Sequence, residues 1–537
     1  MTTEPGPYDL AHTFQGRPLG RPLELPATLL ACLAQRLASA PDDPYLTTVA
    51  ADGATETLTY RRLDALSAAC AHWLRSEAGV TPGQPVGLLP VNDVASVVTI
   101  FALMRTGCPV LFLNPGDPVP RIRSQVDALG VRVVLRGPGA AGTAYADATV
   151  VPAPGALPEP GPIPPPVSEP GADAFYFGTS GTTATSKMVA QTHYAAAVNA
   201  EAVRRHHRLR PGDRLLGCLP IHHVNGVHFT LLATLAAGAH AILVHGFDPF
   251  GYPKLIERMR PRIASVVPSI LESLAHTWRR PVVPAEFDYF VSAAAPLQAS
   301  TARAVAERLG VRVMQGYGLT ETINFSATMP PDVSAETYRR LMLEAEIPSI
   351  GVALYGNEVA VLAADGRPAA LGEVGEICMR GHNVMSRYVD NVAATDEAFR
   401  DGWFHSQDLG FLTGDEDSPH RFVVITGRSK NIAKVRGESV SLDEMDRALR
   451  VIPTMVDAAC VALPHRTLGD EIVAGVVCPD QVSDDEIHRQ LGRTFPPSAL
   501  PSRVVRLAAV PRTPTGKVVR LELARVLAQD ATRPPTG

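Results

Sequence analysis

The stretch Phe177-Gly-Thr-Ser-Gly-Thr-Thr-Ala-Thr-Ser-Lys187 decides how this chain reads. It follows an apolar run, Ala174 to Phe177, that signals a strand, and it is closed by a single lysine. Glycines 178 and 181 let backbone N–H groups approach phosphate oxygens, Thr179, Ser180, Thr182 and Thr183 add short hydroxyl donors, and Lys187 adds a point charge. The loop reads as a polyphosphate cradle and so asks for a nucleotide. It is not the G-x-x-x-x-G-K-[ST] loop of the common NTPases, because no glycine precedes the lysine and no Ser or Thr follows it. A flexible surface turn is the competing reading for such a loop standing alone.

It does not stand alone. Downstream lie Tyr317-Gly-Leu-Thr-Glu321, Asp401-Gly-Trp-Phe-His-Ser-Gln-Asp408, Gly427-Arg-Ser-Lys-Asn-Ile-Ala-Lys-Val-Arg-Gly437 and Pro511-Arg-Thr-Pro-Thr-Gly-Lys517-Val-Val-Arg520. This ordered set resembles the acyl-adenylate-forming superfamily, which holds acyl- and aryl-CoA ligases, adenylation domains of peptide synthetases, and luciferases. Leu58-Thr-Tyr, and Asn114-Pro115 ahead of Arg121-Ile122, fit its weaker N-terminal motifs, so the resemblance spans nearly the whole chain.

Bulk properties exclude several classes. With 537 residues, 46% hydrophobic and 19% charged, and a net charge of −5, the chain is of ordinary globular composition and shows no sign of binding nucleic acid. The basic run Arg204 to Arg210 reads as a solvated helix end. Seven cysteines lie far apart without a C-x-x-C pair, as expected of buried thiols in a reducing compartment. The N-terminus has no secretory signal, and the longest apolar run, residues 229–244, is too short to span a membrane. The expectation is a cytoplasmic protein, monomeric or homodimeric, with no membrane or nucleic-acid partner.

Residues 25–135 alternate helical periodicity (Leu29, Leu30, Leu33, Leu37; Leu63, Leu66, Cys70, Trp73) with short β-rich runs at 85–89 and 109–113, the pattern of βαβ units. The Pro/Gly-rich residues 137–171 read as a surface loop feeding the cradle. A second α/β stretch covers 190–313, and a β-rich stretch punctuated by glycines covers 358–425. After Gly427 a smaller unit follows, with helices at 442–449 and 484–491 and strands at 458–462 and 472–478. The expected fold class is α/β: a large N-terminal domain of parallel-rich sheets and helices with a β-rich subdomain (1–426), a hinge (427–431), and a small mobile α+β lid (432–537).

The resemblance implies a chemistry. A carboxylate becomes an acyl donor by attacking the α-phosphorus of ATP, which converts its leaving group to AMP. Such a site needs phosphate anchors, a divalent ion, a holder for adenosine and a cation near the attacking carboxylate. Glu321 is implied as the Mg²⁺ carboxylate, Thr320 as an α-phosphate donor, Tyr317 as the aromatic face for adenine, and Gly318 and Ala294 as further cofactor-binding positions; a hard octahedral ion suits one carboxylate plus phosphate and water. Asp408 and Arg428 are implied as the ribose pair, Lys517 as the adenylation lysine, Lys430 as the hinge, Gly437 as the place where backbone approaches the incoming pantetheine, and Lys434 as a further cofactor-binding position. Leu219-Pro-Ile-His-His-Val-Asn-Gly226 resembles a further motif that sets His223 between acyl pocket and thiol tunnel. The adjacent histidines invite a metal reading, which the lack of further ligands and divergent side-chain directions for His222 and His223 argue against. Asn225, Gly316, Thr322 and Asn324, with His223, are the expected acyl-pocket residues, and His223, Asn225 and Asn324 hint at polar recognition of a hydroxylated aromatic or functionalised acid.

Five positions depart from the superfamily pattern: Ala184, Ser186, Met188, Gln407 in place of a glycine, and Asn431 in place of Asp or Glu. They point to a specialised branch. The resulting expectation is ATP-dependent, Mg²⁺-dependent activation of a small carboxylic acid, with transfer to CoA or to the phosphopantetheine of a carrier protein. An amide synthetase, a luciferase-like oxygenase and a catalytically silent nucleotide-binding protein are the rival readings.

Overall fold

The computed structural model describes residues 5–140, 142–157, 169–179, 187–279, 283–414, 420–435, 438–465, 469–479, 482–513 and 516–530. The chain divides into two compact units, Met1–Ala360 with Cys378–His405, and Val361–Ile377 with Ser406–Gly537. Three strands, Asn357–Leu362, Gly375–Gly381 and Trp403–Thr413, run through the points of division. The large-plus-small α/β architecture expected from the sequence is present; the division itself falls inside the glycine-punctuated β-rich stretch.

Two sheets organise the first unit. One has seven strands in the order Arg387–Tyr388, Met188–Thr192, Asp173–Gly178, Val110–Phe112, Val86–Leu89, Val134–Arg136, Thr149–Val150. Its central strands are parallel, and the two in the middle, Val110–Phe112 and Val86–Leu89, are wholly apolar and buried, as suits strands covered on both faces. The other has nine strands, among which Pro44–Val49, His240–Val244, Arg214–Gly217, Ile263–Val266, Tyr289–Ser292 and Arg312–Tyr317 run parallel in that spatial order. The periodic leucines form the helix Leu29–Ser39, whose first turn is closed by Thr28 Oγ1 accepting the N–H of Ala31. The Leu58-Thr-Tyr motif also has a physical role. Thr59 caps the helix Tyr60–Ser76, and the Tyr60 hydroxyl donates to the Ala239 carbonyl at 2.9 Å.

The apolar run at 229–244 is no single helix. A π-helix, Asn225–Leu232, passes into a short α-helix, Ala233–Ala237, ended by left-handed Gly238, and then into a strand. Among the described residues no helix is long and apolar enough to cross a membrane. The basic run 204–210 closes the helix His193–His206 with Arg205, Arg208 and Arg210 exposed, as expected, but most of its polar groups are engaged. Arg204 and Arg205 both bind Glu201 at 2.6 Å, Arg208 pairs with Asp332, and His207 is fully buried against the Tyr289 hydroxyl. Six cysteines are buried, Cys478 is half-buried, and none is in a disulfide.

In the second unit the strands Ile432–Val435, Glu438–Ser441, Gly469–Val477, Asp457–His465 and Arg503–Arg506 form one sheet. Its core is built by the helix Leu442–Arg450 and by Asp484–Leu491, each capped by a serine, Ser441 and Ser483. The amphipathic pattern and the caps made both helices legible in advance.

Candidate active site

Sheet topology explains why motifs a hundred residues apart meet. Arg214–Gly217, Ile263–Val266, Tyr289–Ser292 and Arg312–Tyr317 are neighbouring parallel strands in register. The segments after their C-terminal ends carry His223 and Asn225, Ala294, and Tyr317 to Asn324, at the sheet edge where open α/β folds bind ligands.

The strands on either side of the cradle pair with each other. Asp173–Gly178 and Met188–Thr192 are antiparallel, with Gly178 opposite Met188, and the Thr179 N–H donates to the Lys187 carbonyl at 2.9 Å. Ser180, Gly181, Thr182 and Thr183, with the departures Ala184 and Ser186, lie outside the described residues, as does Gly437. Stacking of Phe177 on Phe112, with centroids 4.5 Å apart and planes 3° apart, fixes the strand that enters the loop.

Glu321 sits in a 3₁₀ turn, Thr320–Thr322. Its Oε1 accepts a hydrogen bond from the Tyr388 hydroxyl at 2.8 Å, and the Lys187 ammonium lies over the same ring, 4.7 Å from its centroid. Tyr388 reaches this position because its strand pairs with the one that starts just after Lys187. Burial, then the neighbouring Glu321 charge, raise the Tyr388 pKa, so the hydroxyl stays a donor. The turn is held from below by Gln191, whose Nε2 donates to the Thr320 carbonyl at 2.9 Å and to that of Ile323 at 3.3 Å. Gln191 Oε1 in turn meets His228 Nε2 at 2.9 Å. Burial depresses the His228 pKa to about 3, so this imidazole is neutral and its Nε2 carries the proton that Gln191 accepts.

The turn ends on a strained residue. Ile323, fully buried, has φ 66° and ψ −55°, and the Asn324 N–H bonds back to the Thr322 carbonyl at 2.7 Å, a γ-turn of the positive-φ kind. A β-branched residue in this region costs on the order of 1–3 kcal/mol and persists only where its surroundings enforce it. Gly318 is obligatory by close approach: a Cβ there would lie 1.5 Å from the Asn324 carbonyl oxygen. Ala294 also adopts a left-handed backbone, φ 70°.

Some expected pocket residues are engaged elsewhere. The Thr322 side chain is buried and its hydroxyl bonds the Leu319 N–H and carbonyl, making it a turn cap. The Phe325 ring occupies the space beside Gly316, and Asn225 Oδ1 accepts from the Ser265 hydroxyl at 3.0 Å. Asn324 is 3% exposed, with its Nδ2 lacking a hydrogen-bond partner among the described residues. His222 and His223 do not diverge, because their rings pack together with centroids 4.4 Å apart; burial and then its neighbour push His222 down to about 3.

In the second unit Asp408 and Arg428 stand directly opposite on antiparallel strands, with Arg428 Nε 2.7 Å from Asp408 Oδ1. Asp408 is 3% exposed, so this is not a surface ion pair. Gln407, where the resemblance would place glycine, keeps the glycine-like backbone at φ 63°. Its N–H bonds Glu376 at 2.8 Å, and the Asp408 N–H bonds the Ser406 hydroxyl at 3.0 Å. Holding a side chain there costs roughly 1–2 kcal/mol. Gln407→Gly is therefore expected to stabilise the protein by about 1 kcal/mol after the extra unfolded-state entropy of glycine, read as a higher denaturation midpoint at unchanged slope.

Lys517 follows left-handed Gly516 (φ 86°), its carbonyl accepting from the Thr513 N–H and its own N–H donating to Thr513 Oγ1. Lys430 and Lys434 are exposed. The chain has five lysines among 49 basic residues, and four of them are these motif positions, 187, 430, 434 and 517. Gln191, His228, Tyr388 and Ile323 were not singled out from the sequence; a buried glutamine and histidine in otherwise apolar runs were the available signals.

Comparison with known proteins establishes the family. The model of the AMP-binding enzyme family matches residues 33–389, and that of the AMP-binding enzyme C-terminal domain matches 444–517. The chain belongs to the AMP-binding enzyme family, as an AMP-forming ligase. It is 32% identical over 519 residues to the sulfoacetate–CoA ligase of Cupriavidus necator, covering 92% of this chain and 97% of that one. To 4-coumarate–CoA ligase 5 of Oryza sativa subsp. japonica it is 30% identical over 511 residues, covering 89% and 91%. The crystal structure of ATP-bound MatB from Rhodopseudomonas palustris superposes with a TM-score of 0.80 at 25% identity, covering 95% of this chain and all of that one.

Proposed function

We propose that the protein condenses a small, polar carboxylic acid with ATP to give acyl-AMP and pyrophosphate, and then transfers the acyl group to the thiol of coenzyme A, in specialised metabolism. The observation that carries the reading is the cluster Glu321, Tyr388 and Lys187, in which one tyrosine holds a carboxylate and lies beneath an ammonium at the mouth of the phosphate loop. The donor set fits a magnesium ion: Glu321 is a half-buried hard oxygen ligand on a backbone that Gln191 immobilises. When bound, the ion would neutralise charge on the phosphates.

The chain's own residues supply the remaining steps. Lys187 and Thr179 bind the β- and γ-phosphates, Thr320 donates to the α-phosphate, and Tyr317 with Ala294 flanks adenine. Asp408 accepts from the ribose hydroxyls while Arg428 donates to them. Lys517 sets its charge between attacking carboxylate and α-phosphorus. A rotation at Lys430, within a hinge at 427–431, exchanges the adenylation and thioester settings of the 432–537 lid, the kind of step that gates turnover. His223 and Gly437 border the path of the thiol.

The names of the relatives support CoA as the acceptor, and the buried amide of Asn324, whose Nδ2 has no hydrogen-bond partner among the described residues, supports a polar acid. Incubating the purified protein with ATP, a panel of short polar acids, CoA and a panel of amines should release pyrophosphate and form an acyl-CoA. Pyrophosphate release with amide as the only product would reject the thiol acceptor, and no release with any acid would reject the adenylation reading.

A further inference from the structure

Asp443 is the point at which the hinge segment meets the segment carrying Lys517. It lies in the first turn of the helix Leu442–Arg450, whose cap is Ser441. Its Oδ2 accepts the backbone N–H of Arg428 at 2.9 Å, and its two oxygens accept Nδ2 of Asn431 at 3.1 and 3.0 Å. Arg520 Nη2 reaches Asp443 Oδ1 at 2.5 Å and Asp446 Oδ2 at 2.8 Å. Gly427 lets the strand end come this close, since a Cβ there would lie 3.0 Å from Asp443 Oδ2.

These bonds differ in what they span. Asn431, Arg520 and Asp443 all follow Lys430 in the chain, so their mutual bonds survive a rotation there. Arg428 precedes Lys430, so its N–H bond to Asp443 crosses the rotating residue and must break. A second bond crosses it as well, from Arg447 Nη1 to the Thr426 carbonyl at 2.7 Å. Asn431 also acquires a reason. An Asp or Glu at 431 would set a second carboxylate against Asp443, whereas the amide donates to it.

We propose that Asp443 is a positioning residue, a latch whose bond to the Arg428 N–H holds the hinge in one setting and whose pair with Arg520 ties that setting to the Lys517 segment. The inference rests on the hinge reading given above. It assigns a role to the Asn431 departure, as the neutral partner that lets a carboxylate occupy the hinge.

The test uses the full chain and two readouts. The first is the rate of tryptic cleavage after Arg428 and Lys430 without substrates, identified by fragment mass. The second is the ratio of acyl-AMP formation to thioester formation from synthetic acyl-AMP. Asn431→Asp should speed hinge cleavage about tenfold, the worth of one charge-assisted hydrogen bond, and shift the half-reaction ratio by a similar factor. The exchange variant Asn431→Asp/Asp443→Asn restores an amide–carboxylate pair, while Arg520 keeps Asp446, and should return both readouts to within about twofold of wild type. Asp443→Ala, checked by thermal melting, should cleave as fast as Asn431→Asp. Unchanged cleavage in Asn431→Asp and Asp443→Ala, or an exchange variant that melts like wild type but is not rescued, would overturn the latch. If the wild type activates no acid, the functional reading fails by itself and the cleavage series still decides the latch.

Discussion

Lys517→Ala is expected to lower acyl-AMP formation by about 10²–10³-fold and to leave thioester formation from synthetic acyl-AMP within a few-fold of wild type. The magnitude is that of removing one preorganised charge from a site where negative charge builds up in the transition state. The separation of the two effects follows from how the loop is held. The Thr513 N–H donates to the Lys517 carbonyl at 2.8 Å, Arg512 donates to the Gly516 carbonyl at 2.6 Å, and Arg512 is itself clamped by Asp457 through bonds of 2.8 and 2.7 Å. The loop therefore keeps its course when the ammonium is removed. Pyrophosphate exchange measures the first half-reaction and release of AMP on addition of CoA measures the second. Equal losses in both would make Lys517 a scaffold residue.

Glu321→Gln should cost about 10²-fold in adenylation and raise the magnesium concentration required for half-maximal rate, with little change in the KM for the acid. The amide oxygen still accepts from the Tyr388 hydroxyl, and Gln191 still holds the carbonyls of Thr320 and Ile323, so the turn remains while its charge is lost. Tyr388→Phe makes the complementary change, leaving the charge and removing one hydrogen bond, and should cost about tenfold. A magnesium titration that is the same in Glu321→Gln as in wild type would remove Glu321 from the metal's surroundings.

The sequence made the helices legible where their apolar residues recurred on one face, as at Leu29, Leu30 and Leu33, and where a Ser or Thr capped them. The run through the π-helix Asn225–Leu232 was opaque because it is buried on every side and so carries no period. Gln407 stands where the resemblance places a glycine, yet it takes up the left-handed conformation regardless. Pairs such as Glu321 with Tyr388, and Asp443 with Arg520, are set by strand order and by helix packing, so no local spacing announces them. The motifs singled out the residues proposed to carry the chemistry, whereas the residues that hold them still, Gln191, His228 and Asp443, became visible only through their partners.

The small lysine inventory has a practical consequence at the bench. Lys187, Lys254, Lys430 and Lys434 are exposed and Lys517 is half-buried, and only Lys254 lies outside the motif positions. Succinimidyl esters, aldehyde resins and amine-coupled sensor chips, which on most proteins find dozens of harmless anchor points, would here modify the groups proposed to handle phosphate, hinge and carboxylate. Loss of turnover after such coupling would report the chemistry of attachment, and tethering through an engineered surface cysteine is the sounder route for binding measurements on this enzyme.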